Sequence, residues 1–302
     1  MTLDQLRIFV AVAEQEHLTR AANALALSQS AVSSSIAAFE DRYETKLFDR
    51  IGRNIALTAA GRVFLVEAQA VLARAASAQG VLADLAGLRC GELSVAASQT
   101  VANYWLPAVM HRFHKNHPGV VLTLSIANTE QVVRKVDEGT VDLGFVEDQV
   151  EVSGLAVCPV AKDQLALVVA PDHPWAPYEA IPVNADLRES AWVLREPGSG
   201  TRGIFEKSVR NLGIDPATLN IALQLSSNEA VRSAVEAGAG ATVLSRLVVK
   251  SSIRVGTLTA LRWPLPERGF LMLRNEQRYA SEAIRAFCTL ASTYGEQSIG
   301  SP

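Results

Sequence analysis

The sequence predicts three parts in order along the chain: an N-terminal all-α winged helix-turn-helix, a long linker helix, and a C-terminal α/β domain of two lobes. Three observations lead to this prediction. Apolar residues recur at helical spacing through most of the first 58 residues, and a proline-free heptad pattern follows them. From Gly91 onward, apolar runs typical of strands alternate with amphipathic helical segments. The 302 residues are enough for about two domains.

The composition is that of an ordinary globular protein, with 49% hydrophobic and 20% charged residues. The net charge of −3 does not by itself indicate nucleic acid or an anionic membrane as a partner. The three cysteines lie far apart in the sequence, which gives no pattern for a metal or redox centre. The sequence contains neither a secretory signal nor an apolar run near the ~20 residues of a membrane span. A cytoplasmic location without a membrane partner is therefore expected.

The N-terminal region predicts two short helices over residues 3–16 and 18–26, each with one apolar face. A break follows, and a third helix begins after it, so the order is helix, short turn and helix, as in a helix-turn-helix. Residues 47–57 then predict a small two-stranded wing, with Arg50 and Arg53 flanking its tip. The wing would add positive charge beside the third helix.

The third helix, which Ser28 is placed to cap, has one apolar face and one face of small hydroxyl residues. The apolar face comprises Val32, Ile36, Phe39 and Tyr43, and the opposite face comprises Ser30, Ser33, Ser34, Ala37 and Asp41. Small residues let a helix approach the DNA major groove, and free N–H groups at a helix N-terminus hold phosphate. Gln29 and Ser30 can then reach base edges, while Ser28, Ser33 and Ser34 suit phosphate or base contacts. The alternative is a solvent-facing amphipathic helix without a ligand.

The charge of this region supports DNA binding only modestly. Between Leu18 and Arg62 there are six basic and four acidic residues, a net charge of +2. One copy of such a surface would bind DNA weakly, whereas a dimer would present two.

The segment 58–88 contains no proline and carries a heptad seam, typical of helices that pair. The seam comprises Phe64, Ala68, Val71, Ala75, Ala78, Leu82 and Leu85. We interpret it as a dimerisation helix. The alternative is a core helix within one globular domain.

The rest of the chain predicts a parallel α/β sheet, because strands and helices alternate. The predicted strands start at residues 91, 120, 141, 165, 191, 221, 241 and 269, and the predicted helices cover 102–116, 129–138, 201–212, 228–237 and 280–295. Two lobes with crossovers near residues 160 and 267 fit this order.

Two loops of the α/β region place hydroxyl groups where a helix begins after a strand. Ser98 and Thr100 lie in the first loop, and Ser199 and Thr201 lie in the second, followed by Arg202. A helix N-terminus of this kind can bind an anion, and ligands of open α/β sheets lie beyond the carboxyl ends of strands. Plain N-capping is the alternative for either loop alone, and Arg202 either binds a ligand carboxylate or faces solvent.

The stretch from Leu18 to Arg50, together with Leu57, Thr58 and Gly61, resembles the winged helix-turn-helix of LysR-type transcriptional regulators. The matching residues include Thr19, Arg20, Ala21, Ala22, Leu25, Ser28, Gln29, Ser30, Ala31, Val32, Ser33, Ile36, Glu40, Leu47, Phe48 and Arg50. Ser34 and Ser35 replace larger polar or basic residues common in the family. Tyr43-Glu44 replaces Leu-Gly, and His17 stands where a small hydroxyl cap is common.

The resemblance extends over the whole chain and implies the family's plan of three regions. These are a DNA-binding domain (1–58), a linker or dimerisation helix (59–89), and a periplasmic-binding-protein-like effector domain (90–302). Lobe I would comprise 90–160 plus 268–302, and lobe II would comprise 161–267. The implied function is a ligand-responsive regulator, a homodimer or homotetramer, whose effector changes its grip on double-stranded operator DNA.

The resemblance also implies site residues. The DNA contacts would be made by Thr19, Ser28, Gln29, Ser30, Ser33, Ser34, Arg50 and Arg53. The effector contacts would be made by Ser98, Thr100, Asn128, Thr129, Ser199, Thr201 and Arg202. The "GFVE" and "PGSGTR" stretches look most like the branch that senses sulfur oxyanions and related small anions. Glu147 would repel an anion unless it is protonated, turned aside or paired with Arg202.

Other classes of function find less support in the sequence. No catalytic set, nucleophile elbow or P-loop is present, and no cofactor is implied. His111, His114 and His117 diverge around a helix, which favours a solvated face over a metal site. A solute-binding protein remains an alternative, because the C-terminal region also resembles the two-lobed periplasmic fold.

Overall fold

The computed structural model describes residues 1–51, 54–85, 91–147, 153–182 and 185–299. They form two compact units, one built from residues 1–82 and the other mainly from residue 83 onward. Within the described residues, no helix has the length and apolar character needed to cross a membrane.

The N-terminal unit contains four helices and a two-stranded wing. Its elements are α1 (Leu3–Gln15), α2 (Leu18–Ala24), α3 (Gln29–Arg42), β1 (Phe48–Ile51), β2 (Asn54–Leu57) and α4 (Ala59–Leu85). The antiparallel strands pair Phe48 with Leu57 at the base of the wing. The apolar faces of α1, α2 and α3 meet in one core, in which Phe9 and Val32 are fully buried.

Helix α4 corrects one part of the heptad prediction. Ala68 is fully buried in the core of its own unit, and the ring of Phe64 lies 5.0 Å from that of Phe9. Both residues were predicted to face a partner helix, and for them that prediction is wrong. Their spacing of four also suits packing against α1 and α3. Further along α4, Val71 and Leu82 are exposed, Leu82 to 67%.

Lobe I of the C-terminal unit is a five-stranded sheet with helices on both faces. Its elements are β3 (Gly91–Ser98), α5 (Gln99–Tyr104), α6 (Leu106–Asn116), β4 (Val120–Ala127), α7 (Thr129–Asp137), β5 (Leu143–Glu147), β6 (Leu155–Asp163), β12 (Arg268–Asn275) and α11 (Glu282–Ile299). The strand order is β4-β3-β5-β12-β6. Successive residues of a strand face opposite sides, so Phe145 packs towards α6 and α11 while Val146 packs towards α7.

Lobe II is inserted between β6 and β12. Its elements are β7 (Leu165–Val169), β8 (Ala191–Arg195), α8 (Gly200–Asn211), β9 (Asn220–Leu225), α9 (Asn228–Glu236), β10 (Thr242–Ser245), α10 (Arg246–Val255) and β11 (Thr259–Leu261). Strand β7 lies between β10 and β11, and β8 pairs with β9.

The expectation of a parallel sheet holds for β3, β4 and β5 and is wrong for β12. Strand β12 runs antiparallel to both β5 and β6. The reason is topological: β6 leaves lobe I and β12 returns to it, so the two connections run in opposite directions. In lobe II, β10 and β11 are likewise antiparallel to β7.

The single helix predicted over 102–116 is also wrong, since α5 and α6 meet at Trp105. Pro107 lies in the first turn of α6, where a residue without an N–H is tolerated and favours the start of a new helix. Strand β6, strand β11 and helix α10 were not predicted.

Candidate functional site

Helix α3 presents the hydroxyl face that the sequence predicts. The Oγ of Ser28 accepts a hydrogen bond from the N–H of Ala31 at 3.2 Å and lies 3.0 Å from the Oγ of Ser30. Gln29, Ser30 and Ser34 are exposed, as is Thr19 on α2, and Ser33 is half-buried. The N-terminal turn of α3 is therefore free to meet a ligand.

His17 caps helix α2 even though it stands where a small hydroxyl residue was expected. Its Nδ1 accepts a hydrogen bond from the N–H of Thr19 at 3.2 Å. The ring nitrogen thus accepts the capping hydrogen bond that a serine oxygen would accept, and α2 begins at the expected place.

Glu40 joins the end of α3 to the start of the wing. Its Oε1 accepts the N–H groups of Leu47 at 2.8 Å and Phe48 at 3.0 Å, and its Oε2 accepts from Lys46 at 2.8 Å. Burial raises the pKa of the Glu40 carboxyl, but these three bonds outweigh it and hold the pKa below its ordinary value of 4.5. Arg50 lies on β1, which Glu40 anchors, while Arg53 lies outside the described residues.

In the C-terminal unit, the first hydroxyl loop lies at the junction of β3 and α5. Ser98 is buried, makes no capping bond, and its Oγ has no hydrogen-bond partner among the described residues. Thr100 is fully buried, and its Oγ1 accepts a hydrogen bond from the amide nitrogen of Asn228 in lobe II at 3.1 Å. Thr100 therefore lies at the boundary between the lobes, and Ser98 lies two residues before it at the end of β3.

The second hydroxyl loop begins α8. Ser199 is buried and makes no capping bond. The Oγ1 of Thr201 accepts a hydrogen bond from Nη1 of Arg268 at 3.0 Å. Arg268 is itself buried and paired with Asp163 at 2.6 Å, so a charged pair stands directly behind this loop.

Arg202 does not face Glu147. Its Nε donates to Oε1 of Glu206 at 2.7 Å, and its Nη1 donates to the side chain of Gln224 at 2.7 Å. The guanidinium is thus held along α8, and its pairing with Glu147, one of the alternatives left by the sequence, is not found.

Asn128, Thr129 and Glu147 lie together in lobe I, beside the loop that begins α8. The Oδ1 of Asn128 accepts the N–H of Gln131 at 3.0 Å, which caps α7, and its amide nitrogen lies 3.4 Å from the carbonyl oxygen of Pro197. The hydroxyl of Thr129 lies 3.5 Å from Oε2 of Glu147, which is buried. A cavity of about 300 Å³ opens beside Thr129 and the start of α8, lined by Thr129, Glu130, Pro197, Gly198, Ser199, Gly200, Arg202, Gly203 and Glu206. Of the predicted effector residues, Thr129, Ser199 and Arg202 line this cavity, whereas Ser98, Thr100, Asn128 and Thr201 do not.

Gly198 and Gly200 have no side chain, which allows this part of lobe II to lie close to lobe I. Gly198 has φ +83°, and a Cβ there would lie 2.6 Å from the carboxylate of Glu130. A Cβ on Gly200 would lie 2.8 Å from the hydroxyl of Thr129. The lobe II backbone therefore lies directly against the Glu130 and Thr129 side chains of lobe I.

Sequence reasoning missed a latch between α5 of lobe I and α9 of lobe II. Nε2 of Gln99 donates to the carbonyl of Ser226 at 2.7 Å, and Oε1 of Gln99 accepts the N–H of Asn228 at 2.8 Å. The hydroxyl of Tyr104 donates to Oε1 of Glu229 at 3.1 Å. Burial raises the pKa of the Glu229 carboxyl. Hydrogen bonds from its own N–H, Ser227, Tyr104 and Asn103 outweigh burial, so the pKa lies below its ordinary value of 4.5.

One signal in the sequence could have found Asn228. Polar residues directly follow strand β9, the same pattern that marked the two hydroxyl loops. Arg268 carries no such signal, because its contact with Thr201 spans 67 residues and depends on how the chain returns to lobe I.

Comparison with known proteins accounts for both units. Residues 3–62 match the family described as "Bacterial regulatory helix-turn-helix protein, lysR family", and residues 86–295 match the "LysR substrate binding domain". The chain belongs to the LysR family of transcriptional regulators.

Among its relatives, the RuBisCO operon transcriptional regulator of Allochromatium vinosum is 35% identical over 307 residues, covering 96% of this chain and 99% of the relative. Full-length OxyR from Pseudomonas aeruginosa is 25% identical, with a TM-score of 0.65 over 97% of this chain and 94% of that one. The regulatory domain of CcmR from Synechocystis PCC6803, in complex with 2-PG, is 27% identical, with a TM-score of 0.61 over 68% of this chain and 97% of that domain.

This LysR-family protein is a ligand-responsive transcriptional regulator, with a DNA-binding N-terminal unit and an effector-binding C-terminal domain. Its partners are operator DNA and a small-molecule effector. The predictions of family, fold class and regulatory function are confirmed, and the protein is not an enzyme. The relative and structures above do not support the sulfur-oxyanion branch, which stays a prediction.

Proposed function

We propose that this regulator acts in the cytoplasm and that a small anion or carboxylate binds between lobes I and II and changes the oligomer's grip on operator DNA. Residues 1–58 would bind DNA, 59–89 would pair the subunits, and 90–302 would bind the effector. The observation that carries the effector proposal is the buried Ser98 hydroxyl, which has no partner among the described residues and lies two residues before Thr100, whose hydroxyl contacts lobe II. A buried polar group without a partner is costly unless a ligand satisfies it.

In this proposal, the hydroxyls of Ser98, Thr100, Ser199 and Thr201 receive the anion, with Asn128, Thr129 and Arg202 on the surrounding walls. The start of α8 adds N–H groups that favour negative charge. Arg268 supplies positive charge behind Thr201, although Asp163 offsets it. The 2-PG complex of the CcmR domain supports a small-molecule ligand for this part of the fold.

The effector site is tested by the Ser98→Ala variant in a thermal-shift screen of small carboxylates and phosphates. Loss of one hydrogen bond to a charged ligand should weaken binding about 10- to 100-fold and shrink the ligand-induced rise in Tm. Ser125→Ala is the matched control, because its Oγ is also buried without a partner but lies on β4. If both variants keep the wild-type shift with every ligand that stabilises the protein, the Ser98 assignment is wrong.

On the DNA side, we propose that the N-terminal half of α3 enters the major groove. Thr19, Ser28, Gln29, Ser30, Ser33 and Ser34 would contact DNA from the helices, and Arg50 and Arg53 would contact phosphate from the wing. The exposure of Ser30 and Ser34 one helical turn apart supports this orientation.

A mobility-shift assay with operator DNA tests the proposed face. Ser30→Glu combined with Ser34→Glu should weaken binding at least about tenfold, because two carboxylates would face phosphates. Ser233→Glu on α9 is the control for added charge at an exposed helical serine. Retention of wild-type affinity by the double variant would exclude this docking face.

We also propose that α4 pairs two subunits through the part of the helix that follows Ala68. Val71 and Leu82 are exposed apolar residues eleven positions apart, so they lie on the same face of the helix. Sedimentation of the Val71→Glu, Leu82→Glu variant should yield a smaller species than the wild-type protein. An unchanged mass would remove α4 as the pairing surface.

A further inference from the structure

A second cavity, of about 380 Å³, lies where the chain crosses from lobe I to lobe II. We call it the crossover pocket. Its lining comes from the end of β6, the residue after it, and the first two turns of α10, and comprises Lys162, Asp163, Gln164, Arg246, Leu247, Lys250 and Ile253. None of these residues belongs to the proposed effector site.

The crossover pocket is strongly basic. Lys162, Arg246 and Lys250 contribute three positive charges, and no ion pair to any of them is found among the described residues. The only acidic residue in the lining is Asp163, which is buried. Its Oδ1 accepts from Ser245 at 2.6 Å and its Oδ2 accepts from Arg268 at 2.6 Å, so its charge is already compensated.

Helix α10 increases the positive potential of the pocket. Its ten residues include three basic and no acidic side chains, and its N-terminal end forms one side of the cavity. The helix dipole places partial positive charge at that end. Three unpaired cations held around one concavity repel each other, and a multiply charged anion would relieve that repulsion.

We propose that the crossover pocket binds a small polyanion, such as a diphosphate or a phosphate ester, at a site separate from the interlobe effector site. Lys162 would hold it from the lobe I strand, and Arg246 and Lys250 would hold it from lobe II. The volume suits a small ligand and not a macromolecule.

The position of the pocket connects it to the effector site by contact. Asp163 lines the pocket and pairs with Arg268. Arg268 in turn donates a hydrogen bond to Thr201 at the start of α8. A polyanion that prefers one arrangement of the lobes would change effector affinity, and the effector would change polyanion affinity by the same factor.

Calorimetric titration of the full-length protein with inorganic pyrophosphate at low salt tests the proposal. We expect saturable binding that the Lys162→Gln, Lys250→Gln double variant weakens at least about tenfold, since two of three positive charges are lost. Lys207→Gln, an exposed lysine elsewhere in lobe II, should stay within about twofold of wild type. Ser98→Ala should also leave pyrophosphate binding unchanged, because it alters only the effector site.

Three results would overturn the proposal. The first is that pyrophosphate does not bind the wild-type protein, and the second is that the double variant binds it as tightly as wild type. The third is that Ser98→Ala removes the binding, which would assign pyrophosphate to the effector site. The same variants are also tested for binding to non-operator DNA, because DNA is the alternative ligand for a basic surface. If the double variant loses DNA affinity while pyrophosphate affinity is unchanged, the pocket is a DNA-contacting surface. If circular dichroism shows that the double variant is misfolded, Arg246→Gln replaces it. Because this variant loses one of the three positive charges, it should weaken pyrophosphate binding less than the double variant but more than the Lys207→Gln control.

Discussion

Replacing Glu40 by alanine should destabilise the N-terminal unit by about 2–4 kcal/mol. The variant leaves the N–H groups of Leu47 and Phe48 without their acceptor, and each buried or half-buried orphan costs about 1–3 kcal/mol. The lost pair with Lys46 adds little, because the lysine side chain is 71% exposed. Glu40→Gln keeps one carbonyl oxygen for the two N–H groups and should cost less than Glu40→Ala.

The positions of the tryptophans determine the assay. All four lie beyond residue 90, at Trp105, Trp175, Trp192 and Trp263, so their fluorescence reports only on the C-terminal unit. Urea unfolding should be followed by circular dichroism at a helical wavelength, which reports on the helices of both units, with tryptophan fluorescence as the internal control for the C-terminal unit. We expect the first signal to shift to lower urea in Glu40→Ala while the second stays at its wild-type midpoint.

The pH dependence provides a second check on Glu40. Its pKa in the folded protein lies below the ordinary value of 4.5, so its contribution to stability is present above that value. The contribution is lost as the pH falls through the folded-state pKa. The stability difference between wild type and Glu40→Gln should therefore narrow in acid. A stability difference that does not change when the pH is lowered from neutral to well below 4.5, or an equal loss in Lys46→Ala, would refute the role given to this carboxylate.

Three further outcomes are expected. Phe64→Ala should destabilise the N-terminal unit by about 2–4 kcal/mol, because the ring packs against two phenylalanines of that core; an unchanged urea midpoint would show that α4 is not part of it. Gly200→Ala should reduce the effector-induced rise in Tm, since its Cβ would clash with the opposite lobe, whereas Gly91→Ala, in open space, should not. Burial raises the pKa of the Cys288 thiol to about 11, so iodoacetamide at pH 8 should alkylate the exposed Cys158 faster than Cys288, and equal rates by mass spectrometry would contradict this.

Sequence periodicity was sufficient to predict those features of the fold that depend only on neighbouring residues in the chain. The cap at Ser28, the apolar spacing of Val32, Ile36 and Phe39, and the strand of residues 91–98 are each set by neighbours within a few residues, and each agrees with the structure. Most boundaries of the C-terminal helices were predicted within two residues for the same reason. The α4 seam was ambiguous, because a spacing of four and three suits both a partner helix and the core of its own unit.

By itself, the sequence determined the family, the helices and strands other than β6, β11 and α10, and the hydroxyl loops that begin α5 and α8. Only the tertiary structure decided which groups meet across the lobes: the amide of Asn228 on Thr100 and the guanidinium of Arg268 on Thr201. The pairing of Arg202 with Glu206 in place of Glu147 is local, since the two residues are four apart on α8. The physical reason is that hydroxyl placement follows from local helix geometry, whereas contacts between residues 67 to 128 positions apart depend on how the two crossover strands bring the lobes together.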